Sequence, residues 1–346
     1  RFRTSDAVAG AILMLSALAV YARPMGAEID ESRPGVTGAG VQLAGQAFGT
    51  TWSVKFRSPP ADPATLQTEI ETELERIQNA FSHWRPGSET AQFNSSQTTL
   101  ELEYSSELID LVTFARQLST ATEGAFDITV GPLVDAWGYG PSGPKTQPPA
   151  QEEIDRILQF TGWQKLHVEP RFHSLRKDEP RLQIDLGALL QGYAADRIAD
   201  RLNQVGVTEC LIEVGGELRA RGSWRVALDD PRDPSRHLLT FDLTDAALAT
   251  SGTYRQSPSG GLQTRHIISP TTGRPIVTPW RLCAVIRPTG LEADGWATAL
   301  LASDPDKTRN IANREGVAAL LVDDAGTVTV SDAGEPLFSA KPSTKK

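Results

Sequence analysis

The chain has 346 residues, and its 34 basic and 43 acidic side chains give a net charge of −9 at pH 7. Hydrophobic residues make up 39% of the sequence, which excludes a wholly disordered chain. The acidic balance and the lack of a long Lys/Arg run argue against a nucleic-acid partner. Two cysteines exclude a disulfide scaffold, and the five histidines show no metal-binding spacing. Any metal is therefore expected on oxygen ligands.

The first 27 residues have the layout of an export signal. Two arginines precede an apolar run over 7–20, and small residues near Ala27 suit a cleavage site. The run is shorter than the about 20 residues that a membrane span needs, but a retained signal-anchor and a buried core helix stay open. We expect a signal peptide or signal-anchor over 1–27, export to the periplasm or bacterial cell surface, and a Gly/Pro-rich linker over 28–47.

Regular elements are predicted after this linker. Trp52, Val54 and Phe56 alternate with polar residues, which predicts a strand over 49–56. Apolar residues at helical spacing then predict four helices. These helices begin after Asp62, near Ser105, after Pro149 and near Leu189.

The second half of the chain is richer in strand patterns. The predicted strands cover 210–214, 224–228, 239–243 and 282–286, the helices cover 291–302 and 306–314, and a hairpin joins 318–322 to 328–330. Because strands and helices mix without strict alternation, the pattern predicts an α+β fold rather than a doubly wound sheet. We expect one folded body over 48–335 and a flexible tail over 336–346.

Two acidic residues stand where the periodicity does not require a charge. Asp127 lies in the segment GAFDITVGP, and Asp185 lies where an apolar strand changes into a helix. Each carboxylate could simply cap a loop or a helix. Asp185 could instead face a cleft beside the amides of a helix N-terminus, where phosphates bind.

A second group of polar residues follows in the second half. Asp294 and Thr298 are four apart on a predicted helix, so their oxygens share one face. A carboxylate and a hydroxyl suit Mg²⁺ that keeps water and substrate phosphate as further ligands. A helix cap beside an exposed threonine is the alternative. His266 precedes two apolar residues and is either a packed core histidine or a catalytic group.

Six segments of the chain carry these polar residues and their neighbours: GAFDITVGPLVDAWGYGP, DLGALLQGYAADRIADRL, EVGGELRARG, ATSGTYR, HIISPTTGRP and LEADGWATALL. Together and in this order they resemble the FAD:protein FMN transferases, the ApbE-like family, over residues 48–330. The resemblance implies mixed sheets flanked by helices, with an active-site cleft between two halves of one compact unit. It also implies exported enzymes that bind FAD with a divalent metal, usually Mg²⁺. Such enzymes attach FMN through a phosphoester bond to a Thr or Ser of a partner protein and release AMP.

The resemblance also implies which residues act on the metal and the acceptor. The implied metal ligands are the side chains of Asp294 and Thr298 and the main-chain carbonyl of Ala188. His266 is the candidate general base for the incoming hydroxyl, because its ordinary pKa suits proton transfer near neutral pH. Asp185 is the alternative base.

The FAD contacts are implied in the same way. Asp185 would contact FAD, and the residues implied around it are Phe48 and Trp84 at the flavin, Ala125, Phe126 and Asp127 at the adenine and ribose, and Ser251, His266 and Thr272 at the pyrophosphate. Gln191 stands where many members have lysine, so one positive charge beside FAD is missing here. Ser269 likewise replaces the usual aspartate.

Two alternatives to the transferase stay open. One is a metal-dependent FAD pyrophosphatase, in which water is the acceptor, and the other is a non-catalytic FAD-binding protein. The partner expected for a transferase is an exported or membrane flavoprotein with a Thr or Ser acceptor, and no nucleic acid. A membrane tether through the N-terminal segment stays open as well.

Overall fold

A computed structural model of the chain describes residues 42–58, 61–253 and 265–338. The predicted signal segment, most of the predicted linker, the end of the predicted tail, and Tyr254 and Arg255 of one motif lie outside these residues. No helix in the described ranges is long and apolar enough to cross a membrane.

Antiparallel strands dominate the fold. Numbered in chain order, they are β1 (Gln42–Ala47), β2 (Thr50–Phe56), β3 (Leu102–Glu103), β4 (Leu166–Glu169), β5 (Ser174–Lys177), β6 (Cys210–Val214), β7 (Glu217–Arg221), β8 (Ser223–Asp230), β9 (Asp233–Thr244), β10 (Ala247–Gly252), β11 (Trp280–Arg287), β12 (Ala318–Asp323) and β13 (Val328–Val330). The main sheet has the order β1-β2-β6-β7-β10-β11-β12-β13, with every pair antiparallel. A small sheet has the order β3-β5-β4, and β8 and β9 form a separate two-stranded ribbon.

Several of the α-helices begin where the sequence supplies a capping side chain. They are α1 (Pro63–Phe81), α2 (Glu89–Ser95), α3 (Ser106–Ala121), α4 (Gly131–Ala136), α5 (Gln151–Leu158), α6 (Gly187–Gln204), α7 (Gly290–Ala302) and α8 (Pro305–Arg314). Asp62, Ser105 and Thr289 each accept a hydrogen bond from a main-chain N–H in the first turn of α1, α3 and α7. Such contacts satisfy amides that have no partner inside the helix.

The main sheet is buried on both faces. Cys283 and Val285 of β11 belong to the larger core with the helices, and their neighbours Leu282 and Ala284 belong to a second core with the β8–β9 ribbon. Because successive strand residues point to opposite faces, a strand covered on both sides must be apolar throughout. This explains the unbroken apolar run predicted as the strand over 282–286.

The α+β class and the longer elements are confirmed, but the ends of the folded body were predicted wrongly. Residues 42–47, assigned above to the linker, form β1, which pairs with β2. At the other end Phe338 is buried, and its ring centroid lies 5.4 Å from that of Phe241. Cross-strand pairing and burial therefore extend the fold beyond both predicted boundaries. The short elements α2, α4 and β3–β5 were not predicted, since a few residues carry too little periodicity.

Candidate active site

Helices α6 and α7 cross in direct contact at two glycines. A Cβ on Gly192 would lie 2.1 Å from the carbonyl oxygen of Gly290, and a Cβ on Gly290 would lie 2.2 Å from that of Gly192. Real Cβ atoms do not approach oxygen this closely, so only glycine permits this crossing. The crossing brings the Asp294 side chain against α6.

Asp294 is buried at this crossing and bonds across it. Its Oδ2 accepts a hydrogen bond from the N–H of Gly192 at 3.0 Å, and the residue is only 6% exposed. In a regular helix that N–H belongs to the carbonyl of Ala188, four residues earlier. A carbonyl oxygen has two lone pairs, so the Ala188 carbonyl can accept another partner beside this N–H.

Thr298 lies one turn after Asp294 on α7. Its Oγ1 lies 2.9 Å from Oγ of Ser251 on β10, and both residues line the same cavity as Asp294. The shared helix face predicted from the four-residue spacing is therefore present. Ser251 comes to it through the sheet, from 43 residues earlier in the chain than Asp294.

Asp185 occupies the turn that leads into α6. Its Oδ1 accepts a hydrogen bond from the N–H of Gly187 at 2.8 Å, and its own N–H donates to the carbonyl of Ile128 at 2.7 Å. The carboxylate thus caps the turn and also lines the cavity. The N-cap residue of α6 is Leu186, so Asp185 caps the preceding turn rather than the helix itself, and its contact with a phosphate stays a prediction.

Asp127 is buried in the loop that precedes α4. Its Oδ1 accepts from the N–H and the hydroxyl of Thr129, and its Oδ2 accepts from the N–H of Trp163 at 2.8 Å. Burial raises the pKa of Asp127, and the Thr129 and Trp163 hydrogen bonds offset only part of that rise. Asp127 therefore fixes the loop as a capping residue while it lines the cavity.

These segments enclose a cavity of about 270 Å³, close to the lower end of the range for small-molecule sites. The predicted site residues that line it are Ala125, Phe126, Asp127, Asp185, Ala188, Gln191, Ser251, His266, Asp294 and Thr298. The structure thus brings together residues from widely separated parts of the chain.

Three predicted site residues do not line this cavity. The main-chain N–H of Phe48 donates to Oε1 of Gln78, the Trp84 side chain is 54% exposed, and Thr272 lies in an exposed turn. Their roles in FAD binding stay predictions.

Comparison with known proteins places the chain in a family. A model of the ApbE family matches residues 48–321. The chain belongs to the ApbE family. The FAD:protein FMN transferase of Escherichia coli (strain K12) is 37% identical over 295 residues, which cover 82% of this chain and 84% of that protein. The protein of the same name from Vibrio cholerae serotype O1 is 34% identical over 312 residues, covering 86% of this chain and 93% of that protein.

Solved structures of the ApbE family share the fold. The flavin transferase ApbE from Vibrio cholerae superposes with a TM-score of 0.79 at 35% identity, covering 86% of this chain and 98% of that chain. The apo form of the Pseudomonas stutzeri flavinyl transferase ApbE gives a TM-score of 0.78 at 31% identity, covering 87% and 98%. The resemblance and the α+β class inferred from the sequence are therefore confirmed.

This ApbE member also has cavity residues that the sequence analysis missed. Glu217, the first residue of β7, is buried and lines the cavity, as does Thr250 of β10. Glu217 follows the Gly215-Gly216 pair inside a motif segment, so a carboxylate at the first strand position after a glycine turn was the available signal. Gln191 packs against Gly215, where a Cβ would lie 2.6 Å from its amide carbon.

The cavity of this ApbE chain is acidic. Its lining residues in the described ranges include four carboxylates and neither lysine nor arginine, the carboxylates being Asp127, Asp185, Glu217 and Asp294. No group of three or more His, Cys, Asp or Glu side chains in the described ranges could hold a metal. A closed protein cage is therefore not present there.

The oxygen set at the crossing fits Mg²⁺ nevertheless. Asp294 supplies a buried carboxylate, Thr298 a hydroxyl, and Ala188 a carbonyl that can take another partner. Mg²⁺ binds through few protein oxygens and keeps water and substrate phosphate as its other ligands. Two side chains and one carbonyl suit that mode.

Proposed function

We propose that this chain is an FAD:protein FMN transferase, which cleaves FAD and attaches FMN to a hydroxyl of a flavoprotein. The observation that carries the proposal is the cavity shared by Asp185, His266, Asp294 and Thr298. That cavity lies in a chain whose relatives of this name are similar over more than four fifths of its length. The enzyme class is therefore a transferase with FAD as substrate and a flavoprotein as acceptor.

The proposed step is a phosphoryl-group transfer. The hydroxyl oxygen of the acceptor, a Thr or Ser, bonds to the phosphorus on the FMN side of the pyrophosphate. The P–O bond to AMP breaks, AMP leaves with the bonding electrons, and the hydroxyl proton passes to a base. We assign that base to His266, which lines the cavity beside Tyr139, with 6.3 Å between the ring centroids.

The proposed metal is Mg²⁺, held by Asp294, Thr298 and the carbonyl of Ala188. When bound, it would neutralise the negative charge of the pyrophosphate as the bond to AMP breaks. The protein itself supplies the crossing of α6 and α7, which holds the Asp294 carboxylate against the first turns of α6.

The test uses the full chain with FAD and Mg²⁺, with and without an acceptor flavoprotein. A transferase releases AMP when the acceptor is present, and the acceptor gains a mass of FMN that survives denaturation. AMP and free FMN formed without any acceptor would identify a pyrophosphatase instead. FAD that binds but yields no AMP under either condition would identify a non-catalytic FAD-binding protein.

We also propose that the chain is exported and acts on an exported or membrane flavoprotein. The support is the order of residues in the first 27 positions, where arginines are followed by an apolar run and then by small residues. Expression of the full chain with an epitope tag at its C-terminus, followed by cell fractionation, tests this. Recovery in the periplasmic or surface fraction is expected, in membranes if the signal is retained. Recovery in the cytoplasm alone would refute export.

A further inference from the structure

A histidine that the sequence analysis did not select lies against Asp185. His83 follows the end of α1, and its Nδ1 lies 3.1 Å from Oδ1 of Asp185. The two side chains are only 15% and 17% exposed. The contact joins residues about a hundred positions apart, and one of them lines the cavity.

The contact divides the two oxygens of Asp185 between two tasks. Oδ1 faces His83 and accepts from the N–H of Gly187. Among the described residues, Oδ2 has no hydrogen-bond partner, and the residue lines the cavity. The backbone beside it is held separately, since Asn94 bonds both the N–H and the carbonyl of Ile184. His83 and the N–H of Gly187 thus orient the side chain together, and His83 is the one of the two that can carry a charge.

The pKa shifts of His83 and Asp185 agree with this contact. Burial alone would lower the pKa of His83, but the hydrogen bond and charge of Asp185 and the charge of Asp135 on α4 outweigh burial and raise it above its ordinary 6.5. Burial would raise the pKa of Asp185, but the His83 contact and the Gly187 N–H bring it below its ordinary value. Both shifts favour an ion pair near neutral pH.

The ion pair of His83 and Asp185 bears on how an anionic ligand would bind in the cavity. FAD carries an anionic pyrophosphate, and the described lining residues include four carboxylates and no lysine or arginine. Gln191 also lines the cavity, and its neutral side chain adds no positive charge there. A protonated ring behind Asp185 cancels one of these negative charges in a partly buried site, where charges are weakly screened.

We propose that His83 is a positioning residue for FAD binding: it holds Asp185 through Oδ1, cancels the charge of that carboxylate, and leaves Oδ2 to accept a hydrogen bond from the bound dinucleotide. The proposal rests on the proposed function for the identity of the ligand. It assigns His83 no contact with the reacting atoms. His83 therefore acts on the affinity for FAD and not on the chemical step.

The test compares three variants. His83→Asn keeps a hydrogen-bond donor without a charge, His83→Leu removes both, and His83→Arg keeps a permanent charge. The matched control is His167→Asn, because His167 forms a similar pair with Asp178 at 2.8 Å on the exposed small sheet. FAD binding is measured by quenching of flavin fluorescence without metal, at about pH 6 and about pH 9, on either side of an ordinary histidine pKa.

The wild type should bind FAD more weakly at the higher pH, because the charge of His83 is present below its raised pKa and is lost above it. His83→Asn should lose most of that dependence. His83→Leu should bind roughly 10-fold to 100-fold more weakly at the lower pH, the range for hydrogen bonds to charged groups. His83→Arg should bind well at both values, and His167→Asn should match the wild type.

Transfer kinetics separate this inference from the proposed function. With FAD, Mg²⁺ and acceptor, His83→Asn and His83→Leu should raise KM for FAD and leave kcat within about twofold, whereas His83→Arg should keep both near the wild-type values. A wild type that binds FAD but transfers nothing would refute the function and leave the binding comparison intact. Wild-type pH dependence in His83→Asn, or a melting temperature that falls without any change in FAD affinity, would overturn the positioning role.

Discussion

The glycine crossing of α6 and α7 makes Gly192→Ala a sharp test of the site. The new Cβ would lie 2.1 Å from the carbonyl oxygen of Gly290 and 2.7 Å from Cβ of Asp294. The helices must part by roughly 1 Å to relieve this. Overpacking of this kind costs about 1–3 kcal/mol, and the better helix propensity of alanine returns about 1 kcal/mol.

The expected loss of activity is larger than the expected loss of stability. Parting the helices moves Asp294 away from Ala188 and breaks its bond to the Gly192 N–H, and a misplacement of about 1 Å can cost about 100-fold in rate. We expect the rate of AMP release with FAD, Mg²⁺ and acceptor to fall on that scale. The melting temperature should fall by a few degrees at most, and its rise on adding Mg²⁺ should shrink.

Gly87→Ala is the matched control. This variant also replaces glycine by alanine, but at a position where a Cβ would meet no atom within 4 Å. Its rate of AMP release should therefore equal that of the wild type. If Gly192→Ala released AMP at the wild-type rate and kept the full Mg²⁺-induced rise in melting temperature, the crossing would not position the metal ligands.

Three further predictions concern single side chains. Asp294→Asn removes the charge of the proposed metal ligand, so it should abolish AMP release and the Mg²⁺-induced rise in melting temperature. Asp306→Asn, on the exposed start of α8, should change neither. Burial lowers the pKa of Lys177 from 10.5 to about 8 in the folded protein. Between these two pH values the unfolded chain keeps the Lys177 proton that the folded protein has lost, so the free energy of unfolding should rise as the pH rises from about 8 to 10.5. Urea unfolding should show that rise in the wild type and a smaller one in Lys177→Met; equal rises would contradict the lowered pKa. Phe338→Ala should lower the free energy of unfolding by about 3–5 kcal/mol. The half-exposed neighbour Leu337→Ala should cost far less, and equal losses would show that Phe338 is not part of the core.

Local pattern predicted the elements that have enough residues to show a period. The helix expected near Leu189 begins at Gly187, and the hairpin expected over 318–330 is β12 and β13. The cap at Asp62 was readable because its capping oxygen and the amide that it accepts from lie within a few residues of each other. The predicted ends of the folded body were wrong at β1 and at Phe338, where tertiary contacts determine the structure. β1 pairs with β2 and Phe338 packs on Phe241, and these contacts come from residues outside the local pattern.

The sequence by itself determined the α+β class, the family resemblance and the shared face of Asp294 and Thr298, because these depend on order and spacing along one chain. Only the tertiary structure decided that Glu217 faces the cavity and that His83 lies against Asp185. Only it showed why Gly192 and Gly290 must be glycines. The physical reason is that a helix crossing and a strand order bring together residues a hundred positions apart, and no local period encodes those contacts.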